Sequence, residues 1–202
     1  MHVKTYSLLG KVGEHDFFCY VMRDQGERMF WKNKGCQTPK DWTPKSGSYP
    51  VMGDENIMNP KAHGTSHTPV QKELRYGCDW NVADRICNFN RHYAEYSGYF
   101  LQTRWLEEIP QNGDSTIYYD SNTGNPLFQA PGNRSFADFL RESKAHGWPS
   151  FRDDEVNWNF VRVLRDGECV SIDGTHLGHN IPDRKGNRYC INLVSIAGSP
   201  QD

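Results

Sequence analysis

Apolar positions along the chain follow two periods. From Asn133 to Ala145 the period is helical: Phe136, Phe139 and Leu140 fall at i, i+3 and i+4 and share a face. Ser135 followed by Asp138 has capping-box spacing, Gly147 supplies a stop and Pro149 prevents continuation. The spacing predicts a helix over 134–145. A second helix is expected near 80–93, with Val82, Ile86 and Tyr93 as its stripe and Asp79 or Asn81 as its cap. Ser115–Tyr119 reads as a strand that ends in the turn Asp120-Ser-Asn-Thr-Gly124. In the last third the period becomes two. Val156, Trp158 and Phe160 alternate, then the phase moves to Val161 and Val163, which predicts a bulge. Arg165-Asp-Gly-Glu168 makes a hairpin turn into Cys169-Val-Ser-Ile. A final strand is expected from Arg188 to Ile196, with Arg188, Cys190 and Asn192 on one face and Tyr189, Ile191 and Leu193 on the other.

Residues 1–75 carry weaker patterns. Val3–Leu9 and Phe17–Met22 suit short strands, and 34–68 is rich in Gly, Pro, Ser, Asn and His. So long a loop does not belong inside a compact core, so it reads as an extension or wrapping arm. The expected organisation is an N-terminal extension over 1–75 and a folded domain over 76–202. Mean hydropathy is low at -0.80, but 13% aromatics leave enough apolar surface for a core, which excludes disorder along the whole chain. The formal charge of -2, without charge runs, argues against nucleic acid and anionic membranes as partners. No apolar run is long enough for a membrane span, and the first residues lack the apolar core of a signal peptide. A cytoplasmic monomer is expected.

Six cysteines stand at 19, 36, 78, 87, 169 and 190 without a Cys-x-x-Cys pair, so neither a disulfide scaffold nor a zinc ribbon is indicated. Cys190 differs from an ordinary core cysteine because Arg188 and Asn192 share its strand face. A guanidinium beside a thiol favours the nucleophilic thiolate. Just upstream, Gly174-Thr-His176-Leu-Gly-His179-Asn-Ile-Pro-Asp183 gathers two histidines and a carboxylate. Histidine carries protons near neutral pH, and an aspartate can orient it. The same residues, read alone, also suit a solvated loop or a loose metal site. His63, His67 and Cys78 make a second, weaker metal candidate, because Gly64 and Pro69 argue against the helix that His-x-x-x-His would need.

Three blocks in order, His146-Gly-Trp148-Pro-Ser-Phe151, the His176/His179 block and Asn187-Arg188-Tyr-Cys190-Ile-Asn192, resemble the methionine-R-sulfoxide reductase family, type B (SelR). Gly124-Asn-Pro-Leu-Phe128 and Glu95-Tyr-Ser-Gly98 add to the resemblance, which covers about 84–198. It implies a mainly β fold of twisted antiparallel sheets of the β-tent type, with one or two flanking helices. It also implies reduction of peptide-bound methionine-R-sulfoxide by the Cys190 thiolate through a sulfenic acid. His176, His179, Asp183, Arg188 and Asn192 match the polar residues around the cysteine. Trp148 matches the indole against the substrate's S-methyl group, with Phe151 beside it in the same block. Oxidised peptides or proteins are the implied substrates. No cofactor is implied, only an external, thioredoxin-like thiol reductant.

Two departures stand out. The family's structural zinc is held by two Cys-x-x-Cys pairs, whose positions fall here on Asp120, Thr123, Val170 and Asp173, so no zinc is expected. The resolving cysteine that some members carry before Gly-Trp-Pro-Ser-Phe is His146 here, leaving Cys169, Cys87 and Cys78 as candidates. A member that has lost turnover and binds methylated or oxidised side chains is the alternative reading.

Overall fold

The computed structural model describes residues 7–11, 17–21 and 48–200. The chain divides into two compact units, Met1–Thr38 and Pro39–Asp202. In the first, β1 (Ser7–Lys11) and β2 (Phe17–Val21) pair antiparallel; β2 lies within the expected stretch Phe17–Met22, and β1 overlaps the expected stretch Val3–Leu9 and runs two residues past it. The remainder of those stretches lies outside the described residues.

The second unit is mainly β. After β3 (Thr116–Tyr119), the predicted turn closes on Gly124, at φ 73°, and returns as β4 (Pro126–Ala130). Then follow β5 (Ser150–Phe151), β6 (Val161–Val163), β7 (Glu168–Ser171), β8 (His176–Asn180) and β9 (Tyr189–Ile191). These five make an antiparallel sheet in the order β5-β9-β8-β7-β6. Three short helices flank the sheets. α1 (Trp80–Asp84) is capped by Asp79 and runs on as a π-helical turn over Arg85–Phe89. α2 is Trp105–Glu108. α3 (Phe136–His146) starts where Ser135 accepts from the Asp138 N–H and stops at Gly147, φ 84°. Its Phe139 is fully buried, while Phe136 and Leu140 pack at the core's edge. Among the described residues no helix is long and apolar enough to cross a membrane.

The main core lies on one face of the five-stranded sheet. Phe151, Tyr189, Ile191, Leu177, Cys169, Val161 and Val163 point into it. Phe151 stacks on Phe128 at 4.4 Å, meets Tyr118 edge to face and packs against the tilted ring of Phe139. Residues 48–75 belong to the same unit: Val51 and Gly53 hydrogen-bond Val163 along the outer edge of β6, covering an edge that would otherwise expose unpaired backbone groups.

Two strand expectations are corrected. Val156 to Phe160 is not extended into a bulged strand, because the Asn157 carbonyl accepts from both Phe160 and Val161 and turns the chain. β9 ends at Ile191, and Leu193–Ser195 winds into a 3₁₀ turn. The buried Glu95 carboxylate accepts the Leu193 and Val194 N–H groups at 2.8 and 3.1 Å, which satisfies the start of that turn.

Candidate active site

Four adjacent strands carry the site as one row. Ser150 on β5 pairs with Cys190 on β9, Cys190 with His179 on β8, and His179 with Glu168 on β7. Directly opposed residues project from the same face. Hydroxyl, thiol, imidazole and carboxylate therefore stand side by side, on the face away from the main core. His176 joins them through a bulge. Residues three apart on a regular strand face opposite ways. Here the pairing skips Leu177: Cys169 opposes Gly178 and Val170 opposes His176. Leu177 turns into the core and the two imidazoles end up 5.6 Å apart, edge to face.

Of the four cysteines whose side chains are described, Cys190 alone is partly exposed. The Arg188 Nη1 donates to its Sγ at 2.6 Å, and the Ser150 Oγ lies 3.8 Å away. Burial pushes the Cys190 thiol up, Arg188 and Ser150 pull it down, and burial prevails. Arg188 acts on the thiol in the expected direction, and burial outweighs it. His179 is shifted the other way: burial first, then neighbouring His176, holds its imidazole below the usual value and so neutral.

The histidines are not oriented by Asp183. The Glu168 carboxylate, 1% exposed, accepts from His176 Nδ1 at 2.7 Å. Arg91 grips the same carboxylate with Nε and Nη2, at 3.0 and 2.6 Å, and also reaches Glu55. Burial opposes ionisation of Glu168, but His176 and Arg91 overcome it and hold its carboxyl below the usual range. With Nδ1 committed to donating, the His176 Nε2 is the nitrogen left for other work. Asp183 instead pairs with Arg152, at 2.8 and 3.1 Å, and lies 3.3 Å from Arg188 Nε. Sequence reasoning assigned Glu168 to a turn. The available signal was a carboxylate beginning a buried strand, where an unpaired charge is rarely tolerated.

Asn192 is buried and its amide is engaged by backbone: Oδ1 accepts from Glu95 N at 3.1 Å and Nδ2 donates to Leu177 O at 3.1 Å. It fastens the segment before Tyr96 to β8. Trp148, partly exposed, stands two residues before Ser150 and donates Nε1 to Glu95 O at 3.1 Å. Phe151 is corrected as a site residue, because it is fully buried on the core face and supports the sheet from behind. The candidate resolving cysteines do not meet Cys190. Cys169 points into the core from β7, two strands away, about 10 Å between backbones at normal strand spacing. A disulfide needs roughly 7 Å or less between Cα atoms. Cys87 is fully buried against Ser195 Oγ, at 3.5 Å, and Cys78 is buried beside Tyr99 and Glu95. Burial pushes all three thiols up.

Nor does the structure gather the second metal candidate. His63 Nε2 pairs with Asp84 at 2.9 Å, His67 is exposed and Cys78 lies elsewhere. The positions of the family's zinc ligands do not fit a metal. The Asp120 carboxylate accepts from Thr175 Oγ1 at 2.9 Å and from Asn122 N at 2.8 Å. Burial lifts its carboxyl to about 6. Val170 packs with Met58 and Leu164, and Asp173 accepts from Asn125 Nδ2 at 2.9 Å. Among the described residues no three His, Cys, Asp or Glu side chains gather as a metal set. A polar network fills the space instead. The Asn122 amide donates to Thr68 O at 2.6 Å and to Asn88 Oδ1 at 2.9 Å, and Asn88 Nδ2 donates to Asp84 Oδ1 at 2.9 Å. Thr65 Oγ1 donates to Gly174 O at 2.7 Å, tying the same arm to the second zinc turn.

Comparison with known proteins gives relatives of one kind. The peptide methionine sulfoxide reductase MsrB of Methanosarcina mazei is 31% identical over 106 residues, covering 47% of this chain and 74% of that protein. The MsrB of Methanosarcina barkeri is 33% identical over 100 residues, covering 44% and 68%. The mitochondrial methionine-R-sulfoxide reductase B3 of Mus musculus is 27% identical over 145 residues, covering 65% and 49%. No family model matches the chain, and no solved structure matches it significantly.

Proposed function

Because the chain belongs to the MsrB family of methionine sulfoxide reductases, we propose that it reduces peptide-bound methionine-R-sulfoxide by attack of Cys190 on the sulfoxide sulfur. The coarse activity, an oxidoreductase acting on methionine sulfoxide, follows from the family. The observation that carries the finer reading is the row Ser150–Cys190–His179–Glu168, with Arg188 on the sulfur.

The resting charges suggest how the proton moves. A thiol raised by burial beside a neutral His179 is a proton donor facing an acceptor. His179 takes the thiol proton as the sulfur attacks and returns it to the sulfoxide oxygen; the methionine S–O bond breaks as that hydroxyl passes to the Cys190 sulfur, and the transient S–S bond breaks to release the thioether. His176, held by Glu168 and Arg91, steadies the charge that His179 gains. The step balances: thiol plus sulfoxide gives sulfenic acid plus thioether, with the proton retained. Trp148 offers an apolar face to the S-methyl group. Cys78, Cys87 and Cys169 are buried and their thiols are pushed up, which supports an external reductant. An external thiol attacks the sulfenic acid directly, releasing water and leaving a mixed disulfide, which a second thiol reduces. A thioredoxin-like dithiol supplies both.

A steady-state assay with separate R- and S-sulfoxide peptides, run with dithiothreitol and with thioredoxin, tests this. Only the R epimer is consumed, and Cys190→Ser abolishes consumption. Full R-sulfoxide reduction by Cys190→Ser overturns the assignment. The raised thiol also favours a second reading, a pocket that binds oxidised side chains without turnover. Binding of the R-sulfoxide peptide with no reduction under either reductant selects it.

A further inference from the structure

Cys190 is the end of an unbroken alternation of charge that begins at the buried Glu155. The Glu155 carboxylate accepts from Arg134 at 2.8 and 2.6 Å. Arg134 also pairs with Glu142 on α3, and Glu142 bonds Arg152 through both Nε, at 3.0 Å, and Nη2. Arg152 turns its other edge to Asp183, and its Nη1 further anchors the loop at Asn187 O, at 3.0 Å. Asp183 faces Arg188 Nε, a buried N–H with no hydrogen-bond acceptor of its own, and Arg188 Nη1 ends the series on the sulfur. Glu142, Arg134 and Arg152 are largely buried, so solvent screens their pairs less than a surface network, while Asp183, with its side chain 32% exposed, is the more screened link.

We propose that Arg152 and Glu142 are positioning residues that act, with opposite signs, through Asp183 and Arg188 on the charge that Cys190 carries. The proposal rests on the reading of Cys190 as the attacking thiol. Arg152 neutralises Asp183 and so leaves the Arg188 cation free for the sulfur. Without Arg152, the whole Asp183 charge falls on Arg188, and the thiolate loses support. Glu142 works in reverse, because it draws Arg152 away from Asp183. Arg152 holds the Asp183 carboxyl well below the usual carboxylate range, and Glu142 opposes ionisation of Cys190. The other groups facing Cys190 are His179 and His176 from β8 and Glu168 from β7. They approach from the opposite side and have no bond to this series, while Cys169 lies behind the sheet.

The test reads Cys190 alone. Iodoacetamide labelling of the full chain is followed from pH 6 to 10 by mass spectrometry of the Cys190 peptide, so turnover is not needed. Arg152→Gln raises the labelling midpoint and Glu142→Gln lowers it, each by about half a pH unit, the size expected for one partly screened charge. The double variant returns to the wild-type midpoint, and Arg152→Lys, which keeps the charge, stays near it. A merely structural role moves stability and shifts both single variants in one direction. Midpoints that move together, or that do not move, overturn the proposal. Opposite shifts without sulfoxide turnover uphold this coupling and refute the reductase reading. Turnover with unmoved midpoints refutes the coupling alone.

Discussion

Replacing Asn122 by alanine tests what ties the Asp120–Gly124 turn to Thr68 and the Arg85–Phe89 segment. Asn122 is 3% exposed, and its amide donates to Thr68 O and Asn88 Oδ1. Removing it strands Asn88 Oδ1, on a residue only 1% exposed. A buried acceptor left unmade costs about 1–3 kcal/mol, and a lost ordinary hydrogen bond about 1 kcal/mol. The Thr68 carbonyl belongs to an exposed residue and takes a water instead, so it contributes the smaller figure. The sum is about 2–4 kcal/mol, a large part of the roughly 5–15 kcal/mol that holds a domain folded. For a domain of this size it lowers Tm by roughly 4–16 °C. Asn122→Asp is worse despite its shape, because an oxygen replaces the donor opposite two acceptors and adds charge near buried Asp120 and Asp84. Urea unfolding gives the free energies, and thermal melts with and without chelator or added zinc report on metal. The wild-type melt is unchanged by chelator, and zinc does not rescue Asn122→Ala. A change below about 0.5 kcal/mol, the range of an ordinary surface substitution, refutes the network as the substitute for zinc.

Glu168→Gln lets His176 adopt either tautomer and leaves Arg91 without its buried counter-charge. R-sulfoxide kcat falls by about 10- to 100-fold with little change in KM, measured at steady state. Equal loss in kcat and gain in KM counts against an orienting role. Burial, partly offset by the Leu193 and Val194 N–H groups, lifts the Glu95 carboxyl from 4.5 to about 8. The folded chain then holds a proton that the unfolded chain releases. The corresponding stability is complete below pH 4.5 and is lost as pH rises through about 8. Denaturant unfolding at pH 6 and 8.5 shows the decline, and Glu95→Gln flattens it.

The parts of the fold legible in the sequence are those decided within a few residues. Ser135, Phe139 and Gly147 define α3 locally, and Asp120 to Gly124 defines its turn, because cap and turn chemistry act over three or four positions. The site row is legible in part, since alternation places Arg188 and Cys190 together. What was not legible depends on partners far along the chain. β9 stops early because Glu95, 98 residues before Leu193, captures the next N–H groups. Asp183 was assigned to the histidines by proximity in sequence, yet Arg152, 31 residues away, claims it. The absence of the zinc-ligand cysteines is visible, but the bonds of Asn122 depend on the Asn88 side chain and the Thr68 carbonyl, 34 and 54 residues away.

The spacing of the two histidines makes sense only with the glycine between them. A Cβ at Gly178 would stand 2.1 Å from the Cys190 carbonyl, a contact that backbone cannot relieve without separating β8 from β9. That close approach sets the register that puts His179 opposite Cys190. A slip of one residue would bring Tyr189 to the site face and send Cys190 into the core, since alternate residues exchange faces. The bulge at Leu177 is equally necessary, because without it His176 would point into the core and leave the buried Glu168 to Arg91 alone. Register, bulge and charge thus depend on one another. The thiol meets an imidazole across one strand pair, that imidazole meets a second across the bulge, and the second meets a carboxylate across the next pair. A histidine–leucine–glycine–histidine sequence without the β7 carboxylate or the β9 cysteine would lack this row of partners.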